Sequence, residues 1–482
     1  MSAYWLEIIV LLGGLILLMV EAFVAPKRKA AVAVAAIFPL VFSLILTFVA
    51  KDFNHANQEL DRFYAWDSQA KFFKGLTLVA GILTLLLSID YRKVLAKYTA
   101  NPDSEDGTGE YYCLILFACA GMMWMASAKD LVSLFVSLEL TTITSYILVG
   151  FMRRNVGSLE AGVKFLILGA LSTGFLVYGI AWLYGATGTT DLALMGEKIN
   201  EGNATYLLFG LSLILISLAF KVGAVPMHLW IPDVYQGAPT PTTAFLSVAS
   251  KAAGFCVTLR VLEPFLNSNL ADKVILILAV LSGATILLGN LAAIPQKNFK
   301  RLLGYSSIAN AGFILMAIAA WSNGTETELS SAQVAMFYLA IYLIMTFAAF
   351  FILVTISKST GSEDISAFEG LGSHNPLLAF LTTIVIGALA GVPLTAGFLG
   401  KFLAFEAAVS SALWVPVSLG FIGVAAGFYY YFQIIRAMYW RSSLDESPVK
   451  VSSSSLYVIA TLTALLIILA FSAQPVLWLI GG

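Results

Sequence analysis

The stretch LLFGLSLILISLAFKVGAVP (207–226) decides the fold. Twenty predominantly apolar residues at ~1.5 Å each cover the ~30 Å hydrocarbon layer, so this segment is long enough to cross a membrane. It carries Lys221 near its end and is then interrupted by Gly223 and Pro226. A charge at bilayer depth costs at least ~2.5–3.5 kcal/mol even on the most lenient scale. Three further apolar stretches hold one as well: Glu139 in LVSLFVSLELTTITSYILVG (131–150), Lys251 in TTAFLSVASKAAGFCVTLRVL (242–262) and Lys401 in GVPLTAGFLGKFLAFEAA (391–408). A chain that retains four such groups has a use for them. Burial can switch off the charge of either residue type, which points to proton movement through a membrane.

Composition agrees. The chain has 482 residues, 59% hydrophobic and 11% charged, against roughly 25% charged in a soluble protein. A net charge of −1 offers no bulk attraction to nucleic acid. Cys113, Cys119 and Cys256 lie in apolar runs and number one short of a four-thiolate iron–sulfur site. His55, His228 and His374 are far apart, so no pair sits at ligand spacing on one span. No GxGxxG after a strand and no GxxxxGK[ST] is present, so no nucleotide site is visible. The opening MSAYWLEIIVLLGGLILLMVEAFVAPKRK (1–29) has its basic cluster, Lys27, Arg28 and Lys29, after the apolar core. It reads as an uncleaved span with its N-terminus outside, flanked near its two faces by Glu7 and Glu21.

The expected fold is all-α and polytopic, with fourteen spans at about 4–24, 30–50, 75–91, 111–128, 130–151, 157–184, 204–237 (interrupted), 241–263, 273–295, 302–322, 331–357, 377–407 (interrupted), 411–436 and 455–479. Loop charge supports the count. Inner loops then hold fifteen cations, including Arg92, Lys93, Arg153, Arg154, Lys297, Lys300, Arg301 and Lys450. Outer loops hold seven: Lys51, Arg62, Lys71, Lys74, Lys129, Lys198 and Lys273. The positive-inside bias places both termini outside. A faint repeat joins Gly-Ala-Val-Pro-Met (223–227), preceded by Lys221, to Ala-Gly-Val-Pro-Leu (390–394), followed by Lys401. The two lie five spans apart on this count and so in opposite orientation, the mark of inverted repeats built round broken helices.

Proline removes a donor and clashes with the carbonyl one turn back, so Pro226 and Pro393 are expected to break their spans. Backbone groups freed there survive only if buried in protein or wetted. Glu139 starts about nine residues into its span, ~14 Å deep. A carboxylate at that depth needs a cation or stays protonated, and Lys221 is the expected partner. A device that changes their spacing loads and unloads a proton; the plain alternative is a static buried ion pair. Lys251, beside Ser247 and Ser250, is a candidate to receive that proton, or a lysine solvated by hydroxyls. Lys401, eight residues past Pro393, is the candidate exit-side station. Lys164 with Glu160 one turn earlier is either a relay member or an interfacial pair. His228 either links stations or caps a helix end through the backbone.

These residues carry a resemblance. FKVGAVPMHLWIPDVYQGAPTPTTAFLSVASKAAGF (220–255), QKNFKRLLGYSSIANAGFILM (296–316), SLELTTITSYILVGF (137–151) and AGVPLTAGFLGKF (390–402) resemble the antiporter-like subunits of respiratory complex I. PDVYQGAP and VASKAAGF look like the N-type members. M- and L-type relatives and the sodium/proton antiporter subunits typically show an acidic-Gly-Pro-Thr-Pro version. The resemblance covers nearly the whole chain. It implies two inverted five-helix repeats, with a three-helix segment at 1–110, repeats at 111–265 and 266–440, and a last helix at 441–482. It puts the family's glutamate–lysine pair on Glu139 and Lys221, its central lysine on Lys251 and its distal lysine on Lys401. Many relatives have a histidine where this chain has Asn310, which cannot titrate, leaving water as the candidate bridge. It further implies a proton-translocating module of a bacterial inner-membrane NADH:quinone oxidoreductase, with both termini periplasmic. Neighbouring antiporter-like and small subunits and the lipid bilayer would be its partners. No cofactor is expected in this chain; NADH, FMN, iron–sulfur clusters and quinone would belong to partner subunits. Moving one charge against 100 mV costs ~2.3 kcal/mol, and a two-unit pKa shift supplies ~2.7 kcal/mol, so electrostatic gating is adequate. A secondary sodium/proton antiporter subunit and a non-pumping membrane scaffold are the competing readings.

Overall fold

The computed structural model of the chain describes residues 2–25, 29–50, 62–99, 107–322, 324, 329–442, 449 and 451–481. His55 and the loop cations Lys27, Arg28, Lys51 and Lys450 lie outside the described residues. Among the described residues the chain is helical, without a strand. The first helices are α1 (Trp5–Glu21), α2 (Lys29–Val49), α3 (Ser68–Lys97), α4 (Gly109–Ser127), α5 (Leu131–Val149), α6 (Val156–Thr187) and α7 (Ala204–Val222). After a short helix at Trp230–Gly237 come α8 (Thr240–Leu266), α9 (Ala271–Ala293), α10 (Phe299–Ala319) and α11 (Ser331–Thr360). The series ends with α12 (Pro376–Ala390), α13 (Ala396–Ser410), α14 (Trp414–Trp440) and α15 (Ser453–Phe471).

Among the described residues twelve helices are long and apolar enough to cross a membrane. The chain is a multi-pass membrane protein. The expected spans at 4–24 and 377–407 are shorter helices: α1 has 17 residues, and α12 and α13 have 15 each on either side of a break.

Local chemistry explains where helices begin and stop. Asp67, Asp130, Asn155 and Asn298 each accept a bond from a first-turn amide of α3, α5, α6 and α10, satisfying donors that a helix start leaves open. Ser330 and Gln333 form a reciprocal cap on α11. The Asp67 cap starts α3 at Ser68, earlier than the expected 75. Lys71 and Lys74, expected in an outer loop, are therefore on its first two turns, and Lys300 and Arg301 are likewise on the first turn of α10. The two breaks share one stop signal. Gly223 after α7 and Gly391 after α12 adopt left-handed backbone, φ 78° and 87°, which an L side chain adopts only under strain. A proline follows each, Pro226 and Pro393.

The chain divides into two compact units, Met1–Val222 with Gly237–Val274, and Gly223–Gln236 with Ile275–Gly482. In the first, α8 is wholly buried and packs on α3, α4 and α7. Between α6 and α7 the backbones approach closely at Gly179, where a Cβ would lie 2.8 Å from the Gly210 carbonyl oxygen. Close approach through small residues is how helices gain contact in lipid, where apolar burial supplies no drive. In the second unit α10 and α11 form the interior, and α11 packs on α10, α13 and α15.

Candidate functional site

In the first unit Glu139 is on α5, half-buried, on the face that also exposes Val136, Ile143 and Ile147. Its Oε1 accepts a bond from Thr173 Oγ1 of α6 at 2.7 Å. Lys221 is in the last turn of α7 and buried. Its Nζ donates to Thr142 Oγ1 of α5 at 3.2 Å. Thr142 stands three residues after Glu139, so carboxylate and acceptor hydroxyl are neighbours on one helix face. The expected partners thus share a locality without a direct ion pair: each is held by a threonine hydroxyl. Ser217, one turn before Lys221, meets Ser172 of α6 hydroxyl to hydroxyl at 3.0 Å. The sequence reading passes over Thr142, Thr173, Ser172 and Ser217, because hydroxyls are common in apolar spans and the partners of these four lie on other helices.

Lys251 is buried in α8, directly after a π-helical turn at Leu246–Ser250. Such wide turns recur at functional positions because they re-aim the side chains that follow. The expected Ser247 hydroxyl is engaged with the Ala244 carbonyl at 2.8 Å. Gly254, one turn past Lys251, presses on the stem of Lys221: a Cβ there would meet Lys221 Cγ at 3.0 Å. The Lys221 stem therefore lies against the helix that carries Lys251.

In the second unit Lys401 of α13 reaches back across the break. Its Nζ donates to the carbonyls of Leu389 and Ala390 at 2.9 and 2.8 Å. Those oxygens end α12 and have no intrahelical partner. The ammonium also stands 5.6 Å over the Phe313 ring. Asn310 of α10 is held at both ends of its amide: Oδ1 accepts from Tyr338 at 2.8 Å, and Nδ2 donates to the Ser306 carbonyl at 2.8 Å. His228 is buried in the 223–236 segment, and its Nδ1 has no hydrogen-bond partner among the described residues. Lys164 pairs with Glu160 at 2.7 Å, with both side chains well exposed on α6, the geometry of an interfacial pair.

Ion pairs with at least one buried member extend beyond these residues. Glu21 pairs with Lys29, Glu7 with Lys74, Asp67 with Arg260, and Lys300 with Glu363. Among the described residues no cluster of three or more His, Cys, Asp or Glu side chains is arranged to hold a metal. The three cysteines are buried and free.

The model of the NADH:quinone oxidoreductase/Mrp antiporter transmembrane family matches residues 128–427. NADH-quinone oxidoreductase subunit N 2 of Chloroherpeton thalassium is 39% identical over 485 residues, covering 97% of this chain and 91% of the relative. Subunit N of Rhodospirillum rubrum is 37% identical over 475 residues, covering 98% and 94%. Among solved structures, a chain of respiratory complex I from Thermus thermophilus with bound aureothin superposes with a TM-score of 0.80 at 30% identity, over 98% of each chain. A chain of the Mrp complex from Dietzia sp. has the same fold at 18% identity and a TM-score of 0.77 over 99% of this chain and 96% of that one. The chain belongs to the NADH:quinone oxidoreductase/Mrp antiporter transmembrane family, and within it to the subunit N group.

Proposed function

We propose that this chain is a proton-translocating membrane subunit of an NADH:quinone oxidoreductase, set in a bacterial inner membrane beside other antiporter-like subunits. NADH, FMN, iron–sulfur clusters and quinone would act in those other subunits, and this chain would couple to them through charge. One observation carries the reading: Lys221 is held on Thr142, one helical turn from Glu139 on α5, and each of the two charges is held by a hydroxyl rather than by the other. A hydroxyl bond to a charged group is worth ~1.5–3 kcal/mol net, less than the ~4 kcal/mol that a neighbouring charge at 4 Å supplies near a protein surface. Glu139 would sense that field from its half-exposed face, Lys221 would change protonation, and Lys251 would take up the proton within the same unit. Lys401 would serve the second unit, where two carbonyls occupy two of its three N–H bonds and leave one proton to exchange.

The finer architecture belongs to this proposal. Counting α1 and the α12–α13 pair as crossings gives fourteen, which puts both termini on one side, and the loop charge makes that side periplasmic. The inverted repeats would run over 111–265 and 266–440, between a first segment at 1–110 and a last helix in 441–482. The shared stop at Gly223/Pro226 and Gly391/Pro393 supports that division. The test is Lys221→Ala in the whole complex, reconstituted into vesicles. Quinone reduction continues and the complex assembles, while the protons moved per electron fall. A wild-type ratio refutes the proposal.

A further inference from the structure

A second buried acid–base cluster lies in the first unit, apart from Glu139, Lys221 and Lys251. Glu7 of α1 and Lys74 of α3 form an ion pair of 2.6 Å with neither side chain exposed at all. Tyr64 joins them. Its hydroxyl accepts from Lys74 Nζ at 2.5 Å and lies 3.1 and 3.2 Å from the two Glu7 carboxylate oxygens, to which it donates. The Lys74 ammonium also stands over the rings of Tyr64 and Trp66, at 4.4 and 4.8 Å. Burial first, and then the Glu7 carboxylate, push the Tyr64 hydroxyl far above the ordinary phenol value, so it stays a neutral donor. All three residues precede the family-matched segment 128–427.

Two features connect this cluster to its surroundings. The first is the packing of α3 on α8. Asp67 bonds Arg260 at 3.0 Å, and Gln69 bonds the Cys256 carbonyl at 3.2 Å, so the two helices run antiparallel. Five further residues along α3 from Gln69, and five back along α8 from Cys256, are the same ~7.5 Å of rise. That register brings Lys74 level with Lys251. The second is a cavity of about 470 Å³ lined by Ala128, Lys129, Glu197, Arg260 and Glu263. Tyr64 makes a backbone bridge to Ala128 at its edge. Beside the cluster, Trp66 Nε1 is a buried donor with no partner among the described residues, and the Ser127 hydroxyl adjoins that of Tyr64. Such a donor needs an acceptor, and water from the cavity is the one at hand. Asp67, Lys71 and Arg260 are the other charges facing the cluster.

We infer that Glu7, Tyr64 and Lys74 form a proton-holding site that exchanges protons between the buried lysine of α8 and the cavity lined by Lys129 and Arg260. The inference rests on the proton-translocating reading above. In the exchange, the Lys74 ammonium gives a proton to the Tyr64 oxygen as the Tyr64 hydroxyl gives its own to Glu7. The products are a neutral amine, an intact phenol and a carboxylic acid, with no electron transferred. The amine then takes a proton from the α8 side, and the acid returns its proton through Tyr64 to water beside Ser127.

The test uses the whole complex in vesicles, with protons moved per electron as the readout. Lys74→Met alone strands a buried carboxylate and is expected to cut the yield of assembled complex. The double variant Glu7→Gln with Lys74→Met removes both charges at similar volume and is expected to assemble. Its ratio falls by the same fraction as that of Lys221→Ala. Tyr64→Phe keeps the ion pair but removes the joining hydroxyl, and its ratio falls as well. A wild-type ratio in either assembled variant makes the pair a structural brace and overturns the inference. A reduced ratio in Lys221→Ala alone leaves the proposed function standing without it, whereas a wild-type ratio in Lys221→Ala removes the proposed function itself.

Discussion

Replacing Lys401 with arginine separates two jobs that the structure combines in one side chain. The amine satisfies the last two carbonyls of α12, at 2.9 and 2.8 Å, and it is the proposed proton carrier of the second unit. Removing it by Lys401→Met orphans both oxygens. At about 1–3 kcal/mol for each buried acceptor left unsatisfied, the loss is roughly 2–6 kcal/mol, enough to lower the yield of folded complex. Gly391, whose Cα faces the lysine stem, leaves no room for another residue to take over: a Cβ there would lie 2.9 Å from Lys401 Cδ. Arginine keeps the charge and offers five donors to the same carbonyls, but it does not deprotonate. Giving up a proton from a guanidinium with a pKa of ~12.5 to surroundings five units lower costs about 7 kcal/mol, or about 10⁵ in rate. The expected outcome for Lys401→Arg is an assembled complex that reduces quinone yet moves fewer protons per electron. The assay is quinone reduction and vesicle acidification measured together on one preparation, with Lys401→Met as the reference for a folding defect. A full wild-type ratio in Lys401→Arg would show that this position is only a cap, and the reasoning would fail.

Two other outcomes follow from the same geometry. Thr142→Val and Thr173→Val remove the hydroxyls that hold Lys221 and Glu139; each costs about 1.5–3 kcal/mol of local hold, assembly is unaffected, and pumping slows more than quinone reduction does. Equal slowing of both rates would argue against the threonines as part of the proton site. At the start of α3, burial alone would raise the Asp67 carboxyl, but the Arg260 guanidinium outweighs it and holds the group below its ordinary value. A depressed carboxylate stabilises the fold fully above the unfolded value of ~3.9 and ceases to as pH falls through the lower folded one. Asp67→Asn is therefore less heat-stable than wild type at neutral pH, and the difference closes in acid below about pH 4; a gap that persists there would assign it to packing.

How far the sequence speaks can be judged residue by residue. Periodicity was not needed to find the spans, because length and apolarity suffice when the backbone must satisfy itself in lipid. The four buried ionisable residues stand out for the same reason: a charge in an apolar run is costly enough to be conspicuous. Gly223 and Gly391 could be read as helix stops because left-handed backbone at a helix end selects glycine. Lys74 could not be placed. It follows a polar stretch, so it reads as a loop cation, and only its contact with Glu7, 67 residues away, turns it into an interior residue. The threonines were invisible for a different reason. A hydroxyl in an apolar span is commonplace, and most here bond their own helix, as Thr141 and Ser145 do. Nothing local marks Thr142 and Thr173 as the ones that also hold a charge on another helix.

The sequence repeat round the two broken helices also conceals an asymmetry with a functional consequence. Lys221 precedes its break and Lys401 follows its own, so similar motifs point their amines in different directions. Lys221 projects from the helix before the break onto a hydroxyl of α5, one turn from Glu139. Thr142 gives its own proton to the Leu138 carbonyl at 2.7 Å, so its oxygen accepts from the amine, which keeps an N–H for it in either protonation state; the nearby carboxylate decides the balance. Lys401 instead meets two carbonyls, which accept only. Its neutral form still has two N–H donors, so both bonds outlast the departure of the third proton, and no carboxylate takes part in its hydrogen bonds. On the proposed reading, Lys221 is therefore the lysine that answers to charge arriving from a neighbour. Lys401 keeps its bonding through the cycle and changes only when a proton is delivered or removed. Mutating Glu139 to glutamine should accordingly alter the behaviour of the first unit's lysine and leave the carbonyl-held one as it is, which is the reverse of what two equivalent half-channels would do.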